Sequence, residues 1–256
     1  MNVLSLFSGI GGFSLGLGRA GMRTVAFCEI EPYCRAVLRK HWPNIPVFPD
    51  VTKLNGSDIG TAVDVISGGF PCQDVSIAGK GLGLAGERSG LWKDFARIIG
   101  EVRPRYVIVE NVAALLHRGL GDVLGDLATI GYDAEWRCIP ASKTGLPHRR
   151  DRLWIVAYPR GSRLSGHIER PSLLECAEAA LPQLGHAAAG AWRSLDNVID
   201  GLRSSDGLSV GAHRYRIKAL GNTVCPQITE AIGRAIMKME HPDEKKAIQD
   251  QTSASR

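Results

Sequence analysis

An α/β fold built on a mainly parallel central sheet is what this 256-residue sequence predicts. Three observations predict it. Short apolar runs alternate with helical patterns through the first 158 residues, the rhythm of successive βαβ units. Several of those runs lack polar alternation, which suits strands covered on both faces. The length suits one catalytic domain with a small insert, and a hydrophobic content of 44% can fill its core.

The elements follow in order. Val3–Phe7 is the first strand; a glycine-rich turn after it opens a helix. Thr24–Cys28 is the second strand, Pro32–His41 a helix, and a third strand should end near Asp50. Val63–Ser67, Tyr106–Val109, Glu135–Ile139 and Leu153–Tyr158 are further strands, rich in Val, Ile and aromatics; Leu91–Val102 and Leu120–Ile130 are helices. From Pro159 to about Gly211 scattered Gly, Ser, Pro and His break the rhythm, and this segment reads as an inserted recognition element of mostly irregular structure. The pattern returns when Ile228, Ile232, Ala235, Ile236 and Met239 recur at helical spacing behind Pro226, a residue suited to a helix start. The expected division is therefore 1–158 catalytic and cofactor-binding, 159–211 target recognition, 212–241 a return to the catalytic domain, and 242–256 a polar, disordered tail.

Composition excludes several classes. No apolar run reaches the roughly 18 residues of a membrane span, and the N-terminus lacks the basic region and cleavage site of a signal peptide. The six cysteines (28, 34, 72, 138, 176 and 225) include no C-x-x-C pair, which argues against a zinc site or a disulfide framework and for a reduced, cytoplasmic protein with no metal. The net charge of +5 is uneven. Residues 1–136 hold thirteen basic and fourteen acidic side chains, residues 137–170 eight and two, and residues 203–218 four and one. A nucleic-acid partner would explain a basic excess placed there.

At one end of the predicted sheet, Phe7-Ser8-Gly9-Ile10-Gly11-Gly12 lets the backbone turn tightly and approach a ligand. Ser14 stands where a dinucleotide fingerprint needs its last glycine. Glu29, at the end of the second strand, is placed to accept hydrogen bonds from ribose hydroxyls, and Asp50 is placed for an adenine amino group. Their order along the chain points to a nucleoside-bearing cofactor.

The next block is more specific. Gly68-Gly69-Phe70-Pro71-Cys72-Gln73 follows an apolar strand, so Cys72 comes to the site face of an open α/β sheet. Four glycines between 79 and 86 suit a loop that closes over a substrate. Glu110-Asn111-Val112 follows the strand Tyr106–Val109 and can face the same cleft. His148-Arg149-Arg150-Asp151-Arg152 brings three guanidiniums to the sheet rim, suited to phosphates and base carbonyls. Leu220 to Pro226 is a small-residue turn before the last helix.

Together these blocks closely resemble the DNA cytosine-5 methyltransferase family, in the family's order, from residue 3 to about residue 238. The compact late region resembles the phage-borne members. The resemblance implies a Rossmann-like, S-adenosyl-L-methionine-dependent methyltransferase acting on double-stranded DNA through a covalent adduct between Cys72 and cytosine C6. It implies catalytic roles for Cys72, Glu110, Arg150 and Arg152. It implies a cofactor pocket of Phe7, Ser8, Gly9, Ile10, Gly11, Gly12, Glu29, Ile30, Asp50, Val51, Pro71, Leu91, Asn222, Thr223 and Val224. The DNA-binding candidates are Gln73, Ser76, Arg88, Arg149, Arg214 and Arg216. The expected protein is a monomer in a bacterial or phage-infected cell, and any restriction nuclease would be a separate chain.

Three features depart from the family pattern. His148 replaces the usual Gln, the stretch before residue 221 lacks the usual conserved block, and the recognition segment is short. An RNA cytosine methyltransferase, an inactive DNA-binding protein and a nicotinamide-dependent dehydrogenase are the alternatives. Substrate assays separate the first, absence of methyl transfer the second, and retention of NAD in place of S-adenosylmethionine the third.

Overall fold

The structure, a computed structural model, describes residues 1–71, 90–146, 149–162, 171–184, 219 and 221–241. Seven strands form one sheet: β1 (Asn2–Leu6), β2 (Arg23–Cys28), β3 (Val47–Phe48), β4 (Val65–Gly68), β5 (Tyr106–Val112), β6 (Tyr132–Pro140) and β7 (Asp151–Pro159). Their order is β3-β2-β1-β4-β5-β7-β6. The pairings from β3 through β5 are parallel, and β7 runs antiparallel to both β5 and β6. The helices are α1 (Gly12–Arg19), α2 (Pro32–His41), α3 (Leu91–Val102), α4 (Leu115–Arg118), α5 (Leu120–Thr129), α6 (173–184) and α7 (Pro226–Glu240). Among the described residues no helix is long and apolar enough to cross a membrane.

Each central strand is apolar on both sides because it feeds two cores. Leu4, Ile66 and Val107 join Trp92, Phe95, Val123 and Leu127 of α3 and α5 on one face. Their chain neighbours Val3, Val65 and Ile108 join Leu17, Leu181, Ile228 and Ile232 of α1, α6 and α7 on the other. Alternation of successive side chains across the sheet makes this division unavoidable.

The second face depends on a close approach of α1 and α7. A Cβ on Gly16 would lie 1.9 Å from Thr229 Oγ1 and 2.2 Å from the Pro226 carbonyl, and one on Gly233 would lie 2.7 Å from Ala20 Cβ. Only hydrogen at those positions lets the helices meet. Pro226 opens α7 as expected, and Ile228, Ile232 and Ile236 are buried along its inner face.

The structure differs from the sequence expectation in a few places. Glu110, Asn111 and Val112 lie within β5 and do not follow it, because β7 extends the ladder with Glu110 opposite Trp154 and Val112 opposite Arg152. Phe7 is not in β1; it turns the chain with φ +50°. β3 has only two residues, and Asp50 stands two positions beyond it. In the stretch expected to be mostly irregular, α6 packs Leu173, Leu174, Ala177 and Leu181 into the second core. Its start is a capping box. Ser172 Oγ accepts from the Glu175 N–H at 3.0 Å, and the Glu175 carboxylate accepts from the Ser172 N–H at 3.1 Å. Glu135 of β6 adds acceptors for the Leu173 and Leu174 N–H groups at 3.2 and 2.7 Å. The Ala-rich stretch 187–191 and the tail 242–256 lie outside the described residues.

Candidate functional site

The turn after β1 is sharply curved: Phe7, Gly9 and Gly11 have φ of +50°, +54° and +93°. Ser8 anchors it, its hydroxyl donating to the Ser5 carbonyl at 2.7 Å and to the Cys28 carbonyl at 3.2 Å. Glu29 closes it from the end of β2. Its carboxylate accepts from the Gly9 N–H at 2.7 Å and from the Glu31 N–H at 2.8 Å. Two backbone donors hold this carboxylate in place and leave it further lone pairs for a ligand. A Cβ on Gly9 would meet nothing within 4 Å among the described residues, so the turn is open to them above that residue. Gly12 is closed on its other side by Thr223 and Val224, with contacts of 2.8 and 2.9 Å to a built Cβ.

Beyond Glu29, Ile30 is 68% exposed. It borders a groove of about 320 Å³ with Phe48, Pro49, Asp50 and Leu54. Asp50 accepts from the Thr52 hydroxyl at 2.8 Å and from its N–H at 3.0 Å. These bonds hold its carboxyl below the usual range. An exposed aliphatic side chain and an ionised carboxylate in one groove, next to an open glycine turn, fit a nucleoside: a face for the base and acceptors for amino and hydroxyl groups. Val51 is buried behind this groove, and Leu91 and Phe7 pack against the first core, Phe7 stacked on Phe95 with ring centroids 6.1 Å apart. Asn222 is exposed, Thr223 half-buried and Val224 buried on the far wall.

The second part of the site lies at the adjoining strand ends. After β4 the chain passes Gly69, where a Cβ would lie 2.9 Å from Glu110 Oε2, and Phe70, which is buried against Trp92 at 5.3 Å between rings. Asn111 donates its side-chain amide to the Phe70 carbonyl at 3.1 Å. This bond fixes the exit of β4 against the end of β5. Pro71 is the last described residue on this path. Cys72, Gln73, Ser76 and Arg88 lie outside the described residues, as do His148, Arg214 and Arg216.

Glu110 is 8% exposed, and its Oε1 meets Arg152 Nε at 2.9 Å. Burial pushes its carboxyl up from the usual range, while the charges of Arg152 and then Arg150 pull it down. Arg150 does not point at the carboxylate in the same way: it donates to the carbonyls of Gly221 at 2.6 Å and Thr223 at 3.0 Å. Arg149 is exposed on the rim. Burial, then the negative Glu29 and Asp50, push the Cys28 thiol up to about 12, so it stays protonated and inert.

The structure thus brings the two wings of the expected site to neighbouring strand ends. The reading from sequence gave Asn111 no role. Its place beside Glu110, directly after an apolar run, was the available signal, since an amide buried there needs partners. Among the described residues no group of three or more His, Cys, Asp or Glu stands ready to hold a metal ion.

Comparison with known proteins places the chain in a family. The family model described as C-5 cytosine-specific DNA methylase matches residues 1–189. The Type II methyltransferase M2.BsuMI of Bacillus subtilis is 38% identical over 165 residues, covering 61% of this chain and 42% of that protein. The Type II methyltransferase M.Eco47II of Escherichia coli is 40% identical over 161 residues, covering 60% and 39%. The chain therefore spans less than half the length of these curated relatives. A crystal structure of an Escherichia coli prophage protein, described as a DNA modification methyltransferase, superposes with a TM-score of 0.56 at 25% identity, covering 69% of this chain and 54% of that one. Spodoptera frugiperda DNMT2 shares the fold, with a TM-score of 0.55 at 22% identity, covering 67% and 53%.

Proposed function

This chain belongs to the C-5 cytosine-specific DNA methylase family, and from that premise we propose that it methylates C5 of a cytosine flipped out of double-stranded DNA. The observation that carries the reading is the convergence at the ends of β4, β5 and β7. There a buried carboxyl, its arginine partner and the path leading to Cys72 meet beside the glycine turn.

The chemistry follows from what each side chain offers. Cytosine C5 is a poor nucleophile until C6 is attacked. Cys72 as thiolate forms a bond from sulfur to C6, and the C5–C6 π electrons move toward C5 and the ring nitrogen. Glu110 donates a proton to N3 as negative charge builds there, a role favoured by the burial that raises its affinity for a proton. Arg152 holds Glu110 in register and meets the base carbonyl. S-adenosylmethionine, when bound, supplies a methyl group on a sulfonium centre. Glu29 and Asp50 would accept from its ribose hydroxyls and adenine amino group, Ile30 would offer the adenine an apolar face, and Asn222 to Val224 would close the other side. Loss of the C5 proton to solvent, departure of the Cys72 thiolate from C6 and return of the N3 proton to Glu110 restore the aromatic ring and the enzyme. Extracting the base from the stack costs a few kcal/mol, offset by contacts in the pocket.

DNA reading falls to the part of 159–211 that follows α6, since α6 itself is packed into the core, with Gln73, Ser76, Arg88, Arg149, Arg214 and Arg216 as contacts to DNA. The protein acts as a monomer in the cytoplasm of a bacterial or phage-infected cell, and any cognate nuclease is a separate chain. Bisulfite sequencing of plasmid DNA from methylation-free cells tests the reading. Wild-type protein should leave 5-methylcytosine in one short sequence context and Cys72→Ala none. Unmodified DNA from both would overturn it.

A further inference from the structure

Arg150 and Arg152 stand two positions apart at the start of β7, yet their guanidiniums have different partners. Arg152 takes the Glu110 carboxylate. Arg150 reaches residues far along the chain, with Nη1 on the Gly221 carbonyl at 2.6 Å and Nη2 on the Thr223 carbonyl at 3.0 Å. Its backbone is at φ +35°, a region that non-glycine residues rarely adopt. Such a conformation persists where surrounding contacts impose it. Thr223 is held from a second side by its own hydroxyl, which donates to the Ala219 carbonyl at 2.7 Å. The turn fixed in this way is the one that closes over Gly12, with Thr223 Cγ2 2.8 Å and the Val224 carbonyl 2.9 Å from a built Cβ. At the other end the same guanidinium is within electrostatic reach of Arg152 and Glu110.

We propose that Arg150 is a positioning residue: by forking across the carbonyls of Gly221 and Thr223 it sets the 221–224 turn against Gly12, and so shapes the S-adenosylmethionine pocket from the corner that holds Glu110. The inference rests on reading the Phe7–Gly12 turn and Asn222–Val224 as walls of that pocket. A planar fork suits two carbonyls; an ammonium supplies charge but not that geometry. Arg150 therefore acts on cofactor affinity, through backbone it holds, and makes no contact of its own with the reacting atoms.

The test measures S-adenosylmethionine binding by calorimetry on the full chain without DNA, together with amide exchange of a peptide spanning 219–225. Arg150→Met should weaken binding about tenfold, the effect of losing a charge-assisted hydrogen bond, and should speed exchange in that peptide above the rest of the protein. Arg150→Lys should recover part of both, and it serves as the readable variant if Arg150→Met fails to fold. Unchanged cofactor affinity with unchanged exchange would overturn the inference. So would unchanged cofactor affinity with a fall of about one in the salt slope of DNA binding, which would make Arg150 a phosphate contact. Wild-type protein that binds no S-adenosylmethionine would instead refute the reading of the pocket, and the exchange data would still decide whether Arg150 holds the turn.

Discussion

Arg152 holds Glu110 by a 2.9 Å ion pair where β5 and β7 continue beyond the end of β4. On the β4 side the ladder ends with Gly68 opposite Val109, and among the described residues no strand pairs with Glu110 there. The carboxyl is thus carried on a strand paired with β7, one position beyond the end of β4.

Glu110→Gln preserves the shape of the side chain and removes its proton. Methyl transfer should fall by ~10²-fold or more, the usual size of a general-acid contribution. S-adenosylmethionine affinity should stay near wild type. Tritiated-methyl incorporation into DNA reads the first and calorimetry the second; a full-rate mutant would remove Glu110 from the chemistry.

The pH dependence has a definite sign. Burial raises the Glu110 pKa, and Arg152 is the largest influence lowering it. Activity that needs the carboxyl proton is present below the folded pKa and is lost as pH rises through it. Arg152→Met should move that alkaline limb to higher pH, although the rate falls. Stability has the same sign: the native state keeps the proton where the unfolded chain has lost it, so stability declines as pH rises between the two pKa values. An alkaline limb that does not move in the mutant would mean another group sets it.

The cysteines should separate cleanly. Cys28, raised to about 12, should resist iodoacetamide near pH 8 without denaturant, and Cys28→Ser should keep methyl transfer. Cys72→Ala should abolish turnover yet retain S-adenosylmethionine. Peptide mapping after alkylation checks the first statement; loss of activity in Cys28→Ser without loss of fold would contradict it.

Two glycines on one helix should respond oppositely to alanine. At Gly16 the new methyl meets Thr229 and the Pro226 carbonyl, so α1 and α7 must part, at a cost of ~1–3 kcal/mol. At Gly18 it meets nothing within 4 Å, and the better helix former should stabilise by ~0.5–1 kcal/mol. Urea melts of both variants decide; equal effects would mean the helices are not in close contact.

Much of the fold was legible because it is local. Pro32–His41 and Leu91–Val102 match the expected helices to the residue, since proline and a periodic apolar face mark them without reference to other parts of the chain. The end of β5 was not legible, because its last three residues become strand only through pairing with β7. α6 had a local signal, Ser172-Leu173-Leu174-Glu175, obscured by the irregular composition around it. In the site, Glu29 directly follows β2 and Asp50 stands two positions beyond β3, close to where strand order suggested. The carbonyl partners of Arg150 do not, because Gly221 is 71 positions away and its backbone offers no sequence signal.

The meeting of α1 with α7 also constrains how the protein comes into being on the ribosome. Thr229 and Gly12, in contact across that seam, are separated by 217 positions. The first strand and its glycine turn therefore wait, with one apolar face uncovered, until α7 has been made. Contacts of such long range form slowly and leave sticky surface exposed meanwhile. A nascent or prematurely released chain holds Glu110 and Arg152 but not the 223–224 wall that closes against Gly12. Chains stopped short of α7 should aggregate or be degraded and not modify DNA.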